Sequence, residues 1–375
     1  MNWHEPAPGE RAGGERTWQV VRSAFEERVR APRRRDWRSV AVVAIAAAAL
    51  AAALSPPGLA VLDSLRDAVR GEETAKPALF SLPTRGRLLV NSDQGAWVVQ
   101  RDGSKRLLSG YRDASWSPHG LYLAAVHGHE LRALEPDGNV HWSLARSDIA
   151  LPRWSSAGGN DERVAYLAGG SLRVVGGDGR GDRLLARRVL HVAPAWRPRS
   201  HVLAYVDAAD RIVVVNADTR RRLWVARARQ APLALEWSRS GRYLLARGAA
   251  SITIFGHGGD QQLHPLAPPA SPVLDAAFAP SADSVAFVQR AAGRSVLWYY
   301  PRLRPDGTAA RRVFAGAGTF ERVAWSPDGR WLLLGWPSAD QFLFIRSTAV
   351  RRVILISGIA DSFGPSAVPA GWCCP

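Results

Sequence analysis

Three features of the sequence predict an all-β protein with a propeller architecture. An aromatic residue, a Ser/Pro/Gly turn and an apolar strand recur in that order six times along the 375 residues. The recurring aromatics lie at the spacing of one four-stranded propeller blade. A hydrophobic fraction of 47% is enough for a sizeable core. We therefore expect one large repeat domain with attached segments.

The repeats begin with segments such as SWSPHGLYLAAV, EWSRSGRYLLAR and AWSPDGRWLLLG. Their aromatics are separated by 38, 42, 41, 41 and 47 residues and are Trp116, Trp154, Trp196, Trp237, Phe278 and Trp325. Each copy continues with a third β-rich strand, such as RIVVV, and a fourth strand decorated with arginine, such as RRLWVAR. Charge on the fourth strand is typical of an exposed sheet edge. The pattern predicts four strands, A to D from the inside outwards, in each of six blades.

The two ends of the repeat region predict a seventh blade. GRLLVNS, GAWVVQR and SKRLLSG, which start at Gly86, Gly95 and Ser104, read as strands B, C and D without a strand A before them. Trp372 follows Trp325 by 47 residues, so the terminal AGWCCP matches the position of the missing strand A. Joining these strands would close the ring and cover two sheet edges. The predicted fold is a seven-bladed β-propeller.

The turn after the aromatic carries a family resemblance. Trp325, Ser326, Pro327, Asp328 and Gly329 form a complete WSPDG turn before a strand, and the other copies vary around it. These units resemble TolB-like propeller repeats, which also occur in prolyl-oligopeptidase-type peptidases, and more loosely the WD repeats. The resemblance covers roughly residues 81 to 375. It implies a propeller, a fold that serves as a binding platform, an enzyme lid or, rarely, a catalyst.

An uncharged run precedes the propeller region. Val40 to Leu62 contains 23 residues without a charge, long enough to cross a bilayer core as a helix. Arginines crowd its N-terminal side, at positions 28, 30, 33, 34, 35 and 38, which predicts a cytoplasmic N-terminus and an extracytoplasmic propeller. Ser55 and Pro56 interrupt the run, so a cleaved signal or a buried helix are alternatives to a retained single-span anchor.

The N-terminal tail contains one amphipathic segment. Trp18, Val21 and Phe25 recur at helical spacing within predicted helix 15–30. Their apolar stripe has no core of its own to enter, so it is expected to bind a cytoplasmic protein, a second copy or the membrane surface. The predicted organisation is a tail at 1–38, a transmembrane helix at 39–62, a linker at 63–80 and the propeller at 81–375. This layout is similar to that of membrane-bound bacterial anti-sigma factors, although their His-x3-Cys-x2-Cys signature is absent.

The sequence predicts neither an enzyme nor a cofactor-binding or metal-binding protein. It has no G-x-S-x-G elbow, H-E-x-x-H, P-loop, G-x-G-x-x-G or acidic calcium loop. His127-Gly128-His129 is interpreted as a turn between strands B and C. Cys373 and Cys374 could form a vicinal disulfide, bridge two molecules or lie buried as thiols.

The net charge of +16 comes almost entirely from arginine. A basic surface outside the membrane would attract an anionic polymer or an acidic protein, and nucleic acid is not expected there. The predicted function is a membrane-anchored extracytoplasmic binding platform. More specifically, the protein could be a sensor that signals to a cytoplasmic partner such as a sigma factor. The alternative is a propeller enzyme of lyase or cyclase type with its site in the central channel.

Overall fold

The computed structural model describes residues 81–157, 161–263, 271–301, 303, 310–347 and 353–374. The predicted tail, helix 15–30, transmembrane helix and linker lie outside these residues. Within them, no helix has the length and apolar character needed to cross a membrane. The strands of the described residues form seven antiparallel sheets of four strands each.

Three strands come first in the chain: β1 (Arg87–Ser92), β2 (Gly95–Val99) and β3 (Lys105–Ser109). Blade 1 contains β4 (Tyr111–Trp116), β5 (Leu123–His127), β6 (Glu130–Leu134) and β7 (Val140–Ala145). Blade 2 contains β8 (Ile149–Trp154), β9 (Arg163–Ala168), β10 (Ser171–Gly176) and β11 (Arg183–Arg187). Blade 3 contains β12 (Ala195–Trp196), β13 (Val202–Val206), β14 (Arg211–Asn216) and β15 (Arg222–Arg227).

Blade 4 contains β16 (Ala234–Trp237), β17 (Tyr243–Arg247), β18 (Ile252–Gly256) and β19 (Gln261–Leu263). Blade 5 contains β20 (Val273–Phe278), β21 (Val285–Ala291), β22 (Arg294–Tyr300) and β23 (Arg311–Ala317). Blade 6 contains β24 (Glu321–Trp325), β25 (Trp331–Trp336), β26 (Gln341–Arg346) and β27 (Val353–Ser357). The short helix α1 (Ile359–Phe363) and β28 (Val368–Cys373) end the described chain.

The seventh blade joins the two ends of the propeller, as predicted. Its strand order is β28-β1-β2-β3, so the last strand of the chain is the inner strand of a sheet whose other strands come first. Leu88 of β1 pairs with Trp372 of β28, and Arg87 pairs with Cys373. The seven-bladed all-β fold expected from the orphan strands and the position of Trp372 is confirmed.

The recurring aromatics fill the spaces between blades. Six of them are 5% to 9% exposed, namely Trp154, Trp196, Trp237, Phe278, Trp325 and Trp372. Strands B and C are covered on both faces, which explains their continuous apolar runs. The outer strands β7 and β15 alternate between exposed and partly buried side chains. The buried ladder strands and the exposed charged edges therefore agree with the sequence pattern.

The closing blade meets blade 1 at a tight seam. Arg87 Nη2 donates a hydrogen bond to Gly120 O at 2.6 Å, and its guanidinium carbon lies 5.2 Å from the centre of the Trp116 ring. Gly120 has a φ of +65°, and a Cβ there would stand 3.1 Å from Arg87 Nη2 and 3.2 Å from Cys373 Sγ. The Sγ atoms of Cys373 and Cys374 are bonded to each other in this seam. The turn after β4 thus needs glycine because the end of β28 packs directly against it.

Candidate functional site

The topology separates two faces of the propeller. The loops that join strand D of one blade to strand A of the next lie on the same side as the turns between strands B and C. We call this side the mouth face. The WSPDG-type turns between strands A and B lie on the opposite side, here called the turn face. Inner strands therefore start at the mouth face and run away from it.

A cavity of about 390 Å³ opens on the mouth face where blades 1, 2 and 3 meet. Its floor is apolar, and charged or polar groups of Arg112, Asp113, Asp148 and His191 stand around it. We call it the mouth pocket, lined by Arg112, Asp113, Asp148, Ile149, Ala150, Leu167, Gly170, Val189 and His191. Arg112 is held in place because its Nη1 and Nη2 donate to Gly128 O and Ile149 O, at 3.2 and 3.4 Å.

Two equivalent positions of the inner strands form the wall of the central channel. The residue immediately before each aromatic is small in five blades, as Ser115, Ala195, Ala277, Ala324 and Gly371. In blades 2 and 4 it is instead Arg153 and Glu236. The third residue before the aromatic is charged in blades 1, 5 and 6, as Asp113, Asp275 and Arg322. The channel wall therefore carries charge only in some of its otherwise equivalent blades.

The acids of the wall bind the backbone of the next blade. Asp113 Oδ2 accepts a hydrogen bond from Leu151 N at 3.2 Å, and Asp275 Oδ2 accepts one from Val323 N at 2.8 Å. Both bonds lie at bulges in the receiving inner strand, between Ala150 and Arg153 and between Glu321 and Val323. A bulge frees an N–H from the ladder, and the carboxylate of the preceding blade satisfies it. These carboxylates thus connect the blades around the channel.

Glu236 has the most altered acidity in the wall. Its Oε1 and Oε2 lie 3.2 and 3.3 Å from Phe278 N, which donates to them from the next blade. Burial raises the pKa of Glu236 to about 8, although this hydrogen bond opposes the shift, and the nearby Asp275 adds to it. At neutral pH the carboxyl group is therefore mostly protonated.

Three arginines bring positive charge to the same channel. Arg247 ends β17 and pairs with Ala234 of β16, so its side chain shares a face with this small residue. Burial lowers the pKa of Arg153 and of Arg247. The charges of Asp113 and Asp275 oppose this shift, at Arg153 and Arg247 respectively, and the positive charge of Arg322 adds to it at both. Arg153, Arg247 and Arg322 belong to blades 2, 4 and 6, which are not neighbours in the ring. Their charges can therefore act on one another only through the channel.

The residues predicted to carry function have different locations. Trp18, Val21 and Phe25 lie outside the described residues, so their partner-binding role stays a prediction. Cys373 and Cys374 lie at the seam on the turn face, where Cys374 Sγ is 3.3 Å from Pro118 O. His127 ends β5 and packs against Tyr111, with ring centres 4.8 Å apart. In the described part of the chain, no three His, Cys, Asp or Glu side chains are grouped to hold a metal ion.

Sequence reasoning did not single out the channel residues, although the repeat alignment contains a signal for them. Arg153 and Glu236 interrupt a series of Ser, Ala and Gly immediately before the aromatics. Arg247 gives no such signal, because strand-end arginines are frequent in this arginine-rich chain.

Comparison with known proteins supports the fold and nothing finer. No protein-family profile matches the chain, and no curated protein matches it by sequence. A chain from the crystal structure of a mitotic checkpoint complex is 16% identical, with a TM-score of 0.54, and the match covers 72% of this chain and 89% of that one. A chain of hydrazine synthase from Kuenenia stuttgartiensis is 14% identical, with a TM-score of 0.49 and coverage of 63% and 76%. At 16% identity, the match to the checkpoint-complex chain shows a likeness of architecture alone.

Proposed function

We propose that this propeller is a binding platform that uses its mouth face. The observation that carries the proposal is the mouth pocket, where an apolar floor is surrounded by charges of both signs. Ile149, Leu167 and Val189 are 3% to 9% exposed, whereas Arg112 and Asp148 are exposed at the rim. A concave apolar surface with a few polar groups is the usual form of a binding site.

The location of the platform belongs to the same proposal. The uncharged run at 40–62 would anchor the chain, and the arginines before it would keep the tail in the cytoplasm. The TolB-like turns and the layout shared with anti-sigma regulators favour a sensor whose tail helix contacts a cytoplasmic protein through Trp18, Val21 and Phe25. An acidic protein or an anionic polymer is the expected outside partner because of the positive charge of the chain.

One observation favours the alternative of a channel enzyme. Glu236 has a pKa of about 8 and lies in a channel with three arginines. A carboxyl group that stays protonated near neutral pH can act as a general acid. The hydrogen bonds between Glu236 and Phe278 N also give this residue a structural role, so the platform is the function that the geometry supports better.

A site-specific crosslinking experiment tests the platform. A photo-crosslinking amino acid replaces exposed His191 at the mouth pocket, or exposed Arg239 on the turn face as the matched control, in the full-length chain in cells. We expect a discrete adduct from position 191 and none from position 239. Arg112→Gln should lower the adduct yield about two- to fivefold, because it removes an exposed rim charge that attracts an acidic partner and is worth below about 1 kcal/mol. Equal adducts at both positions, or none at position 191, would contradict the proposal.

A further inference from the structure

The guanidinium groups of the channel have few partners. Among the described residues, Arg153 Nη1 donates to Pro152 O at 2.8 Å, and Arg322 makes no side-chain hydrogen bond. Arg247 Nη1 donates to Val273 O at 3.3 Å, while its buried Nε has no hydrogen-bond partner. That Nε forms an ion pair with Asp275 Oδ1 at 3.8 Å, a separation beyond hydrogen-bonding distance.

The acids of the channel neutralise these arginines only in part. Asp275 Oδ1 forms an ion pair with Arg247 Nε, and the charge of Asp113 opposes the lowering of the Arg153 pKa. Asp113 and Asp275 direct an oxygen to the backbone N–H of the next blade. Glu236 is mostly protonated at neutral pH because burial raises its pKa to about 8. Three positive charges thus face two carboxylates, and the group retains a net positive charge. The buried Nε of Arg247, which has no hydrogen-bond acceptor, is costly unless a further acceptor is supplied.

We propose that the central channel binds a small oxyanion, the carboxylate or phosphate group of a small molecule, between Arg153, Arg247 and Arg322. Guanidinium groups match the planar carboxylate and the phosphate by paired N–H donors, and such charge-assisted bonds are the strong ones. The inference deepens the proposed binding function and rests on it, because it names the ligand class that the platform takes at its centre.

The dimensions of the wall suit a small ligand. Most uncharged residues at the two wall positions, the first and third before each aromatic, are small. They include Ala195, Ala277, Ala324 and Gly371. The two positions are two residues apart on each strand, about 6 to 7 Å along the channel. Arginine side chains from both levels can therefore reach one anionic group. Arg322 is exposed, so an anion arriving from solvent meets it directly.

The test is a titration of the purified full-length chain in detergent. Inorganic phosphate and citrate are added separately at constant ionic strength, with chloride as the balancing ion, and binding is measured by calorimetry and by thermal unfolding. We expect saturable binding of at least one of them at one site per chain. Binding of citrate alone identifies a carboxylate site, and binding of phosphate alone identifies a phosphate site.

Variants show whether the binding belongs to the channel. Arg153→Gln and Arg322→Gln should each weaken binding at least about tenfold, the loss expected for a hydrogen bond to a charged group. Arg239→Gln on the turn face is the matched control and should leave binding unchanged. Without anion, Arg322→Gln should not lower the unfolding temperature, because it removes a charge that repels Arg153 and Arg247. This readout separates lost binding from lost folding.

The inference is overturned if neither anion binds, or if the channel variants bind as tightly as Arg239→Gln. Crosslinking at position 191 tests the mouth face and this titration tests the channel, so the two proposals can fail independently. An absent adduct with intact anion binding would remove the platform and keep the anion site. An adduct at position 191 without anion binding would keep the platform and remove the anion site.

Discussion

Single charged residues act as connectors between the blades. Asp113, Glu236 and Asp275 each extend from one inner strand and accept an N–H of the next. A small residue at these positions, as in most other blades, cannot make this bond. Trp196 and Trp325 connect the blades in the opposite direction, because each donates its Nε1–H to a carbonyl of the preceding inner strand, at 2.9 and 3.2 Å. Hydrogen bonds from each blade to the next and to the preceding one therefore stabilise the ring next to the channel.

Glu236 predicts a pH dependence of stability. Its pKa is raised in the folded state, from 4.5 to about 8, so the folded chain binds this proton more tightly than the unfolded chain. The contribution of this bound proton to the free energy of unfolding is fully present below about pH 4.5 and is lost as the pH rises through about 8. Glu236→Gln should remove this loss. Between about pH 5 and about pH 9, the variant should gain at least about 1 kcal/mol over the wild type, roughly 2 to 4 °C in unfolding temperature.

The matched control for Glu236 is Asp260→Asn, an exposed acid in the outer turn of the same blade. Thermal unfolding of the three chains across the pH range gives the comparison. Parallel pH profiles for the wild type and Glu236→Gln would show that the carboxyl group does not hold its proton in the folded state.

At the scale of elements, the outer and inner strands of a blade carry different tasks. The inner strands provide the channel wall and the bulges, and the outer strands carry charged side chains at free edges. β28 has a special position, because it is the inner strand of a blade whose other strands are formed at the start of the propeller. Trp372 of β28 packs edge-on against Phe344 of blade 6, with ring centres 5.4 Å apart.

Removal of β28 should open the ring. A chain that ends at Ala367 loses the ladder to β1 and the buried Trp372, which is 8% exposed. The expected cost is several kcal/mol, since truncation of a buried aromatic alone costs about 3 to 5 kcal/mol. Denaturant unfolding followed by tryptophan fluorescence measures it. A chain that ends at Cys374 is the control, and equal stability of the two truncated chains would contradict the closure role of β28.

At the scale of the whole molecule, the proposed function links the propeller to the N-terminal tail. The proposed sensor needs an outside domain, an anchor and an inside contact on one chain. If the stripe of Trp18, Val21 and Phe25 makes that contact, its aromatics act as anchors in a partner groove, each worth about 2 kcal/mol or more when truncated.

The double variant Trp18→Ala/Phe25→Ala should lose at least about tenfold in capture of the cytoplasmic partner, measured by pull-down with the full-length chain. Reporter fusions at residue 10 and at the C-terminus serve as the control, and both chains should show an inside N-terminus and an outside propeller. Equal capture of the partner by the wild type and the double variant would show that the tail serves only to set the membrane orientation. A C-terminal reporter that is active in the cytoplasm would contradict the proposed location.

The repeat pattern determined the architecture without further help. Each blade packs its aromatic against the neighbouring blade, so the same residue type recurs at a fixed spacing in the sequence. The three strands near Gly86 that lack a strand A, together with Trp372, indicate how the ring closes. Only the tertiary structure decided which charges share the channel. Arg153, Arg247 and Arg322 are distant in the chain and belong to three non-adjacent blades, and ring closure alone brings them together. A sequence pattern records contacts that repeat from blade to blade, whereas these three residues depart from the repeat, each in its own blade.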